Sequence, residues 1–449
     1  MKKGKLGWGL GVLVVLMLIL ESSTSSRGVR WRKAMQHQER EPLMVPNRVG
    51  VSSVMFPLHG NVYPTGYYNV TIQIGQPQKP YFLDVDTGSD LTWLQCDAPC
   101  IRCMEAHHPY YRPNNDLLSC NDPLCKSLQS NGGNRCDSGQ CDYEVEYADG
   151  GSSLGVLVRD VFPLNFTNGA QARPHLSLGD VVPLNFTNGA WSSPRLALGC
   201  GYKQSPDATN HPLDGILGLG RGKTSIISQL SSQGFVRNVV GHCLSSRGGG
   251  YLFFGDDIYD SSHVTWTALS QEHPKHYSPG YAELYFGGRT TGYKNLFVTF
   301  DSGSSYTYFN SEAYQGLVYL VKKDLHGQPL KEVPDDQTLP LCWKGHIPFQ
   351  SIHDVENYFK PFALRFTNGG ESKSTLFEFT PETHLIISSK GNVCMGILNG
   401  TEVGLGNLNL IGDISMQDRM VIYDNEKQMM GWEPADCDSI PKSTSSILW

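Results

Sequence analysis

Two aspartates of this chain sit in near-copies of one short pattern. Phe82-Leu83-Asp84-Val85-Asp86-Thr87-Gly88-Ser89 recurs in outline as Leu296-Phe297-Val298-Thr299-Phe300-Asp301-Ser302-Gly303-Ser304. In each copy an extended apolar run leads into Asp-Thr/Ser-Gly-Ser, and the copies lie 215 residues apart. One Asp-Thr-Gly is a weak signal, because aspartate and glycine serve ordinary turns; two copies led by apolar strands are a strong one. Half-domains related by a pseudo-twofold axis would bring Asp86 and Asp301 together. Like-charged carboxylates in close contact cannot both ionise readily, so they hold one shared proton and their pKa values split. One carboxylate then acts as general base towards a water, while its protonated partner polarises a carbonyl. That chemistry hydrolyses an amide without a covalent intermediate. It needs no cofactor and no metal, and no serine or cysteine nucleophile motif is evident.

The elements that must position these groups repeat as well. Leu213-Asp214-Gly215-Ile216-Leu217-Gly218 follows the first copy and Asn409-Leu410-Ile411-Gly412-Asp413 follows the second, each an apolar strand able to pack beside its Asp loop. Val70, Ile72 and Ile74 alternate with polar residues, which predicts a strand with those three inward and Asn69 outward. Ser311 to Leu325 reads as an amphipathic helix with Tyr314, Leu317, Val318 and Val321 on its apolar face and Ser311 as N-cap. Gly222-Lys223-Thr224 resembles the end of a nucleotide-binding loop, but Leu217 stands where that loop needs glycine.

With 449 residues the chain exceeds one ordinary domain. Its 48 glycines and 26 prolines suit a large β protein with many turns. A formal charge of −7 does not suggest the concentrated basic surface that phosphate backbones require, so no nucleic-acid partner is expected. Lys2, Lys3 and Lys5 precede a charge-free run from Leu6 to Leu20 and a small polar stretch; residues 1–26 read as a secretory signal peptide, too short in its apolar core for a spanning helix. The mature chain is thus expected to carry no transmembrane anchor, to be a monomer, and to reside in the secretory pathway, either outside the cell or in a vacuolar or other endomembrane lumen. Residues 27–50 form a short basic segment, with six cationic side chains against Glu39 and Glu41, read either as a prosegment or as a solvated linker. Twelve cysteines in an oxidising compartment favour disulfides over metal thiolates, without revealing their pairing. Four Asn-x-Thr sequons, at Asn69, Asn165, Asn185 and Asn399, are candidate glycosylation sites.

Over most of residues 64–437 the chain resembles the pepsin-like aspartic proteases, nearest to their plant nucellin-like and nepenthesin-like branch. The resemblance implies a mostly β, bilobal fold: two pseudo-twofold-related antiparallel lobes, a central substrate cleft and a few short helices. It implies an N-terminal lobe over 51–250, a C-terminal lobe over 251–440 and a tail at 441–449. It makes Asp86 and Asp301 the catalytic pair, with Gly88, Ser89, Gly303 and Ser304 orienting the carboxylates and Thr87 and Ser302 bracing the loops. Tyr147 matches the family's flap tyrosine, and Trp93 the tryptophan that pairs with it. Residues 96–141, with seven of the twelve cysteines, resemble the family's cysteine-rich insertion. The implied activity is a secretory-pathway aspartic endopeptidase, made as a zymogen, acting on peptide and protein substrates at acid pH. The alternative is a pepsin-fold binding or inhibitor protein that has lost catalysis.

One feature departs from that pattern. Residues 160–179 and 180–199 are a tandem duplicate in which Pro163/Pro183, Asn165/Asn185 and Gly169/Gly189 correspond. An even period of twenty keeps every side chain on its face when the register slips by one copy. The second copy, continuous with Cys200, is expected to fill the strand that the resemblance requires.

Overall fold

The structure is a computed structural model that describes residues 53–441 apart from 106–107, 115, 130–135, 137–138, 149, 167–189, 206–212, 368–373 and 440. The expected signal peptide (1–26), the basic segment (27–50) and Asn185 lie outside the described residues. Alternating strands dominate, and most described helices are single turns. The strand Tyr67–Ile74 buries Tyr68, Val70, Ile72 and Ile74, as its alternation requires. Asn69 faces the other way but is only half exposed, lying opposite Asp84 on the neighbouring strand.

Three sheets carry the described residues. The largest runs from Thr265–Ala268 through Met429–Pro434, Arg419–Asp424, Val239–Leu244 and Gly250–Phe254 to Val54–Asn61, Tyr67–Ile74 and Lys79–Asp86. It continues through Gly215–Gly218, Trp93–Gln95 and Arg195–Ser205 to the hairpin Asp142–Glu146 and Ser152–Val161. The pairing of Val239–Leu244 with Arg419–Asp424 ties the early and late parts of the chain together, and the Cys243–Cys437 disulfide lies beside it. A second sheet holds Leu296–Phe300 between Tyr277–Phe286 and Asn409–Ile411. A third, small sheet is bridged by Cys342–Cys394, whose residues stand directly opposite on adjacent strands.

All twelve cysteines are paired. Within and around the insertion the bridges are Cys96–Cys200, Cys100–Cys103, Cys120–Cys136 and Cys125–Cys141. Cys96–Cys200 closes a loop of 104 residues and restricts the unfolded chain accordingly. The excursion has only a small core of its own, where Leu118, Cys125 and Cys141 pack on Trp93 and Tyr143.

One expectation needs correction. The long helix spans Ser311–Asp324, but its cap is Asn310, whose Oδ1 accepts the Ala313 amide at 3.0 Å. Ser311 instead donates its hydroxyl to Asn399 Oδ1 at 2.9 Å. The buried face is Ala313, Gly316, Leu317 and Val321, with Tyr314 and Val318 at its edge, because the Tyr293 ring lies so close to Gly316 that any Cβ there would collide with it. The expectation for the duplication is met: second-copy residues enter the strand Arg195–Ser205, which contains Cys200. Asp160–Phe166 of the first copy completes the strand Ser152–Val161 and forms Leu164–Phe166, whereas Ala190–Gly199 of the second forms Ala190–Ser192 and enters Arg195–Ser205. Leu164–Phe166 pairs antiparallel with Ala190–Ser192, and residues 167–189 between them lie outside the described residues.

Candidate active site

Each aspartate stands where a strand leaves the core. On Lys79–Asp86, Tyr81, Leu83 and Val85 are buried, and Phe82, Asp84 and Asp86 share the opposite face. This strand lies parallel to Gly215–Gly218, with Gly218 opposite Asp86, and the Leu219 amide donates to the Asp86 carbonyl at 2.8 Å. The second half repeats the arrangement: Leu296–Phe300 lies parallel to Asn409–Ile411, and the Asp301 amide donates to the Ile411 carbonyl at 3.0 Å. Both apolar partner strands expected from the sequence are therefore in place.

The loops after the strands meet back to back. The Thr87 amide donates to Ser302 Oγ at 3.1 Å, and the Ser302 amide to Thr87 Oγ1 at 2.9 Å. Ser302 Oγ in turn donates to the Val85 carbonyl at 2.6 Å, and Thr87 Oγ1 to that of Phe300 at 3.5 Å. Thr87 and Ser302 are both buried, so each hydroxyl satisfies backbone atoms that water does not reach. Thr87→Val keeps the side-chain shape but strands the Ser302 amide, and should cost about 1–3 kcal/mol. A urea midpoint equal to that of the unaltered protein would show that the bracing carries no weight.

This grip brings the carboxylates together. The Gly88 amide donates to Asp86 Oδ1 at 2.7 Å and the Ser89 amide to the same oxygen at 3.2 Å, while the Ser89 hydroxyl donates to Asp86 Oδ2. The Gly303 amide donates to Asp301 Oδ1 at 2.9 Å, and the Ser304 hydroxyl to Oδ2 at 3.1 Å. Glycine is obligatory at both turns. A Cβ on Gly88 would lie 2.5 Å from Asp301 Oδ1, and one on Gly303 would lie 2.6 Å from Asp86 Oδ1. Each glycine thus marks how closely the opposite acid approaches.

Electrostatics follow from that closeness. Burial, and then the Asp301 charge, lift Asp86 to about 7; burial lifts Asp301 as well, against the bonds from Gly303 and Ser304 that favour its charged form. A third acid stands behind them. Asp413 is buried, its Oδ1 has no hydrogen-bond partner among the described residues, and burial together with Asp84, Asp301 and Asp86 holds it protonated well above the usual carboxylate range. Asp413 closes the motif recognised after the second copy, but nothing in the sequence marked it as part of the site.

The hairpin Asp142–Glu146 and Ser152–Val161 overhangs the pair. At its turn the Tyr147 amide donates to the Gly151 carbonyl at 2.8 Å. The Trp93 indole N–H donates to the Tyr147 hydroxyl at 2.6 Å. Burial, followed by the Asp86 charge, keeps that hydroxyl neutral. Together these residues wall a cavity of about 400 Å³ whose floor holds Asp86 and Asp301. Among the described residues no Lys or Arg lines it. Sequence reasoning missed several of its walls. Asp84 was detectable by its two-residue spacing from Asp86. Met104 was not: it belongs to the cysteine-rich insertion and reaches the cleft because its amide donates to Gln95 Oε1 at 2.7 Å.

The remaining expected site residues lie apart from the cleft. Asn165 is exposed, whereas Asn399 is buried, with its Nδ2 donating to Glu402 at 2.8 Å. His353, Glu356 and Glu382 bring possible metal-ligand atoms within 4.8 Å of one another, but none of them lines the cleft.

Comparison with known proteins covers both halves. Residues 68–256 match the family model described as xylanase inhibitor N-terminal, and residues 289–434 the one described as xylanase inhibitor C-terminal. An aspartic proteinase of Oryza sativa subsp. japonica is 45% identical over 410 residues, covering 88% of this chain and 94% of that protein. Aspartic proteinase nepenthesin-1 of Nepenthes gracilis is 25% identical over 83% of this chain and 78% of its own length. Among solved structures, basic 7S globulin from soybean superposes with a TM-score of 0.64 at 15% identity, covering 87% of this chain and 99% of that one, which shows a shared two-lobed fold.

Proposed function

The chain belongs to the pepsin-like aspartic proteases of plants, and from that premise we propose that it is an endopeptidase in which Asp86 and Asp301 activate a water between them. The observation that carries this reading is the buried carboxylate pair, each acid held by an amide and a hydroxyl of its own loop. One proton is shared. The charged carboxylate removes a proton from water as its oxygen attacks the peptide carbonyl, and the protonated carboxyl donates to the carbonyl oxygen. Collapse of the resulting diol transfers a proton to the amide nitrogen and breaks the C–N bond. Tyr147, neutral and tethered to Trp93, closes over the peptide and helps exclude water from it.

The secretory address of residues 1–26, a prosegment at 27–50 and a glycan at Asn165 complete the proposal. Their support is the apolar leader, the net +4 of Arg27–Arg48 against −13 from residue 49 onward, and the exposure of Asn165. The alternative of a non-catalytic binding protein draws on the inhibitor description of the family models and on the fold shared with a seed globulin. Both aspartates and the four residues whose amides and hydroxyls donate to them, Gly88, Ser89, Gly303 and Ser304, are present, which favours the enzyme. Purified secreted protein should hydrolyse a denatured protein at acid pH and be blocked by a pepstatin-type inhibitor. Inhibitor binding without any hydrolysis would support the alternative. Trp93→Phe removes one buried hydrogen bond of the flap and should lower kcat/KM by about tenfold; an unaltered kcat/KM would dissociate Trp93 from the flap.

A further inference from the structure

Away from the cleft, one tryptophan stands in water. Trp191 is 56% exposed, and among the described residues no other tryptophan is exposed. It lies on the short strand Ala190–Ser192, which among the described residues pairs on one side only. An indole left in solvent on such an edge offers apolar area beside unpaired backbone groups, a template for unwanted association. The residue facing it is Asn165, directly across the antiparallel pair with Leu164–Phe166. Leu164 and Phe166 are buried, so the residue between them turns to solvent. Residues directly opposite share a face, with Cβ atoms about 4.5–5.5 Å apart. Asn165 and Trp191 therefore project side by side from one surface, and Asn165-Phe166-Thr167 is a sequon.

We infer that Trp191 is the seat of a glycan on Asn165: the first N-acetylglucosamine, joined to the Asn165 side-chain nitrogen, lays one face of its ring on the indole. The inference rests on the glycan at Asn165 proposed above and deepens it by naming the protein surface that the sugar occupies. The C–H bonds on a sugar face carry a slight positive charge and the face of an indole a negative one, so the two stack. The sugar is tethered beside the ring, so the contact forms within one molecule at high effective concentration. It covers the exposed indole and shields the edge of the strand that bears it. The duplication contributes directly. Asn165–Ala170 and Asn185–Ala190 are identical, but the position of Trp191 is held by Gln171 in the first copy. The register thus pairs a sequon of the first copy with a tryptophan found only in the second.

The test is hydroxyl-radical footprinting of the secreted protein from a eukaryotic host that adds high-mannose glycans, read at Trp191 by peptide mass spectrometry. Two treatments isolate the first sugar: an endoglycosidase leaves a single N-acetylglucosamine on Asn165, and an amidase removes it. Oxidation of Trp191 should be at least about twofold slower with that sugar than without it. The buried Trp343 and Trp432 should react alike in both samples. Asn165→Gln should give the fast rate under either treatment, and Asn185→Gln should leave the protection in place. Equal rates at Trp191 when the peptide mass shows Asn165 occupied overturn the inference and leave the glycan standing. Protection that Asn185→Gln removes and Asn165→Gln keeps overturns it as well. An unmodified Asn165 refutes the glycan itself, and the seat with it.

Discussion

Asp86→Asn and Asp301→Asn should each reduce peptide hydrolysis by at least about a thousandfold while leaving the fold intact. The amide keeps an oxygen for the Gly88 or Gly303 N–H and fills the same space, so the loops lose little. What disappears is the ability to take a proton from water or to hold the shared one. Stability should move in the opposite direction to activity. The folded pKa of Asp86 is raised, so its contribution to stability is full below the ordinary carboxylate range and is lost as pH rises through about 7. Asparagine does not titrate. The melting temperature of Asp86→Asn should therefore draw ahead of the parent's between about pH 4 and about pH 7. The difference is the proper readout, because the buried His242 and His384, lowered by burial to about 3 and about 4, titrate in the contrary sense in both proteins. Retained hydrolysis in either variant would end the two-carboxylate mechanism.

Hydrolysis itself should follow a bell-shaped pH profile displaced towards acid, with its alkaline limb near neutrality. Activity requires one proton on the pair. Burial and the adjacent Asp301 charge make Asp86 hold that proton up to about pH 7, well above an ordinary aspartate. Above the limb, kcat/KM should fall by about tenfold per pH unit, because each unit leaves a tenth of the molecules singly protonated. On the acid side, uptake of the second proton removes the general base. The Gly303 amide and the Ser304 hydroxyl, both donating to Asp301, favour its charged form and postpone that loss to lower pH. Ser304→Ala removes one of these donors, so it should shift the acid limb upward. Initial rates on one peptide across pH, at substrate well below KM, measure both limbs; a profile that rises steadily through neutral and alkaline pH would exclude a shared proton.

The catalytic machinery was legible from the chain because it is written locally and twice. An apolar strand, Asp-Thr/Ser-Gly-Ser and a following apolar strand ending near glycine are short-range patterns, and their repetition implied a twofold arrangement. The hydrogen bond between Trp93 and Tyr147 was anticipated only through family resemblance, since 54 residues separate them and no spacing rule links them. Asp84 passed as an ordinary member of the first motif; its register with Ile216 and Trp93 exists only once three strands from distant segments lie side by side.

Near neighbours along the chain were enough to dictate the repeated aspartate loops, the inward faces of strands such as Val70–Ile74, and the oxidised state suited to twelve cysteines, because side-chain alternation and turn chemistry act over a few residues. Contacts between distant segments settled which cysteines pair and which residue caps the helix after the second aspartate. Asn310 displaced Ser311 as cap because Asn399, 88 residues away, claimed the serine hydroxyl.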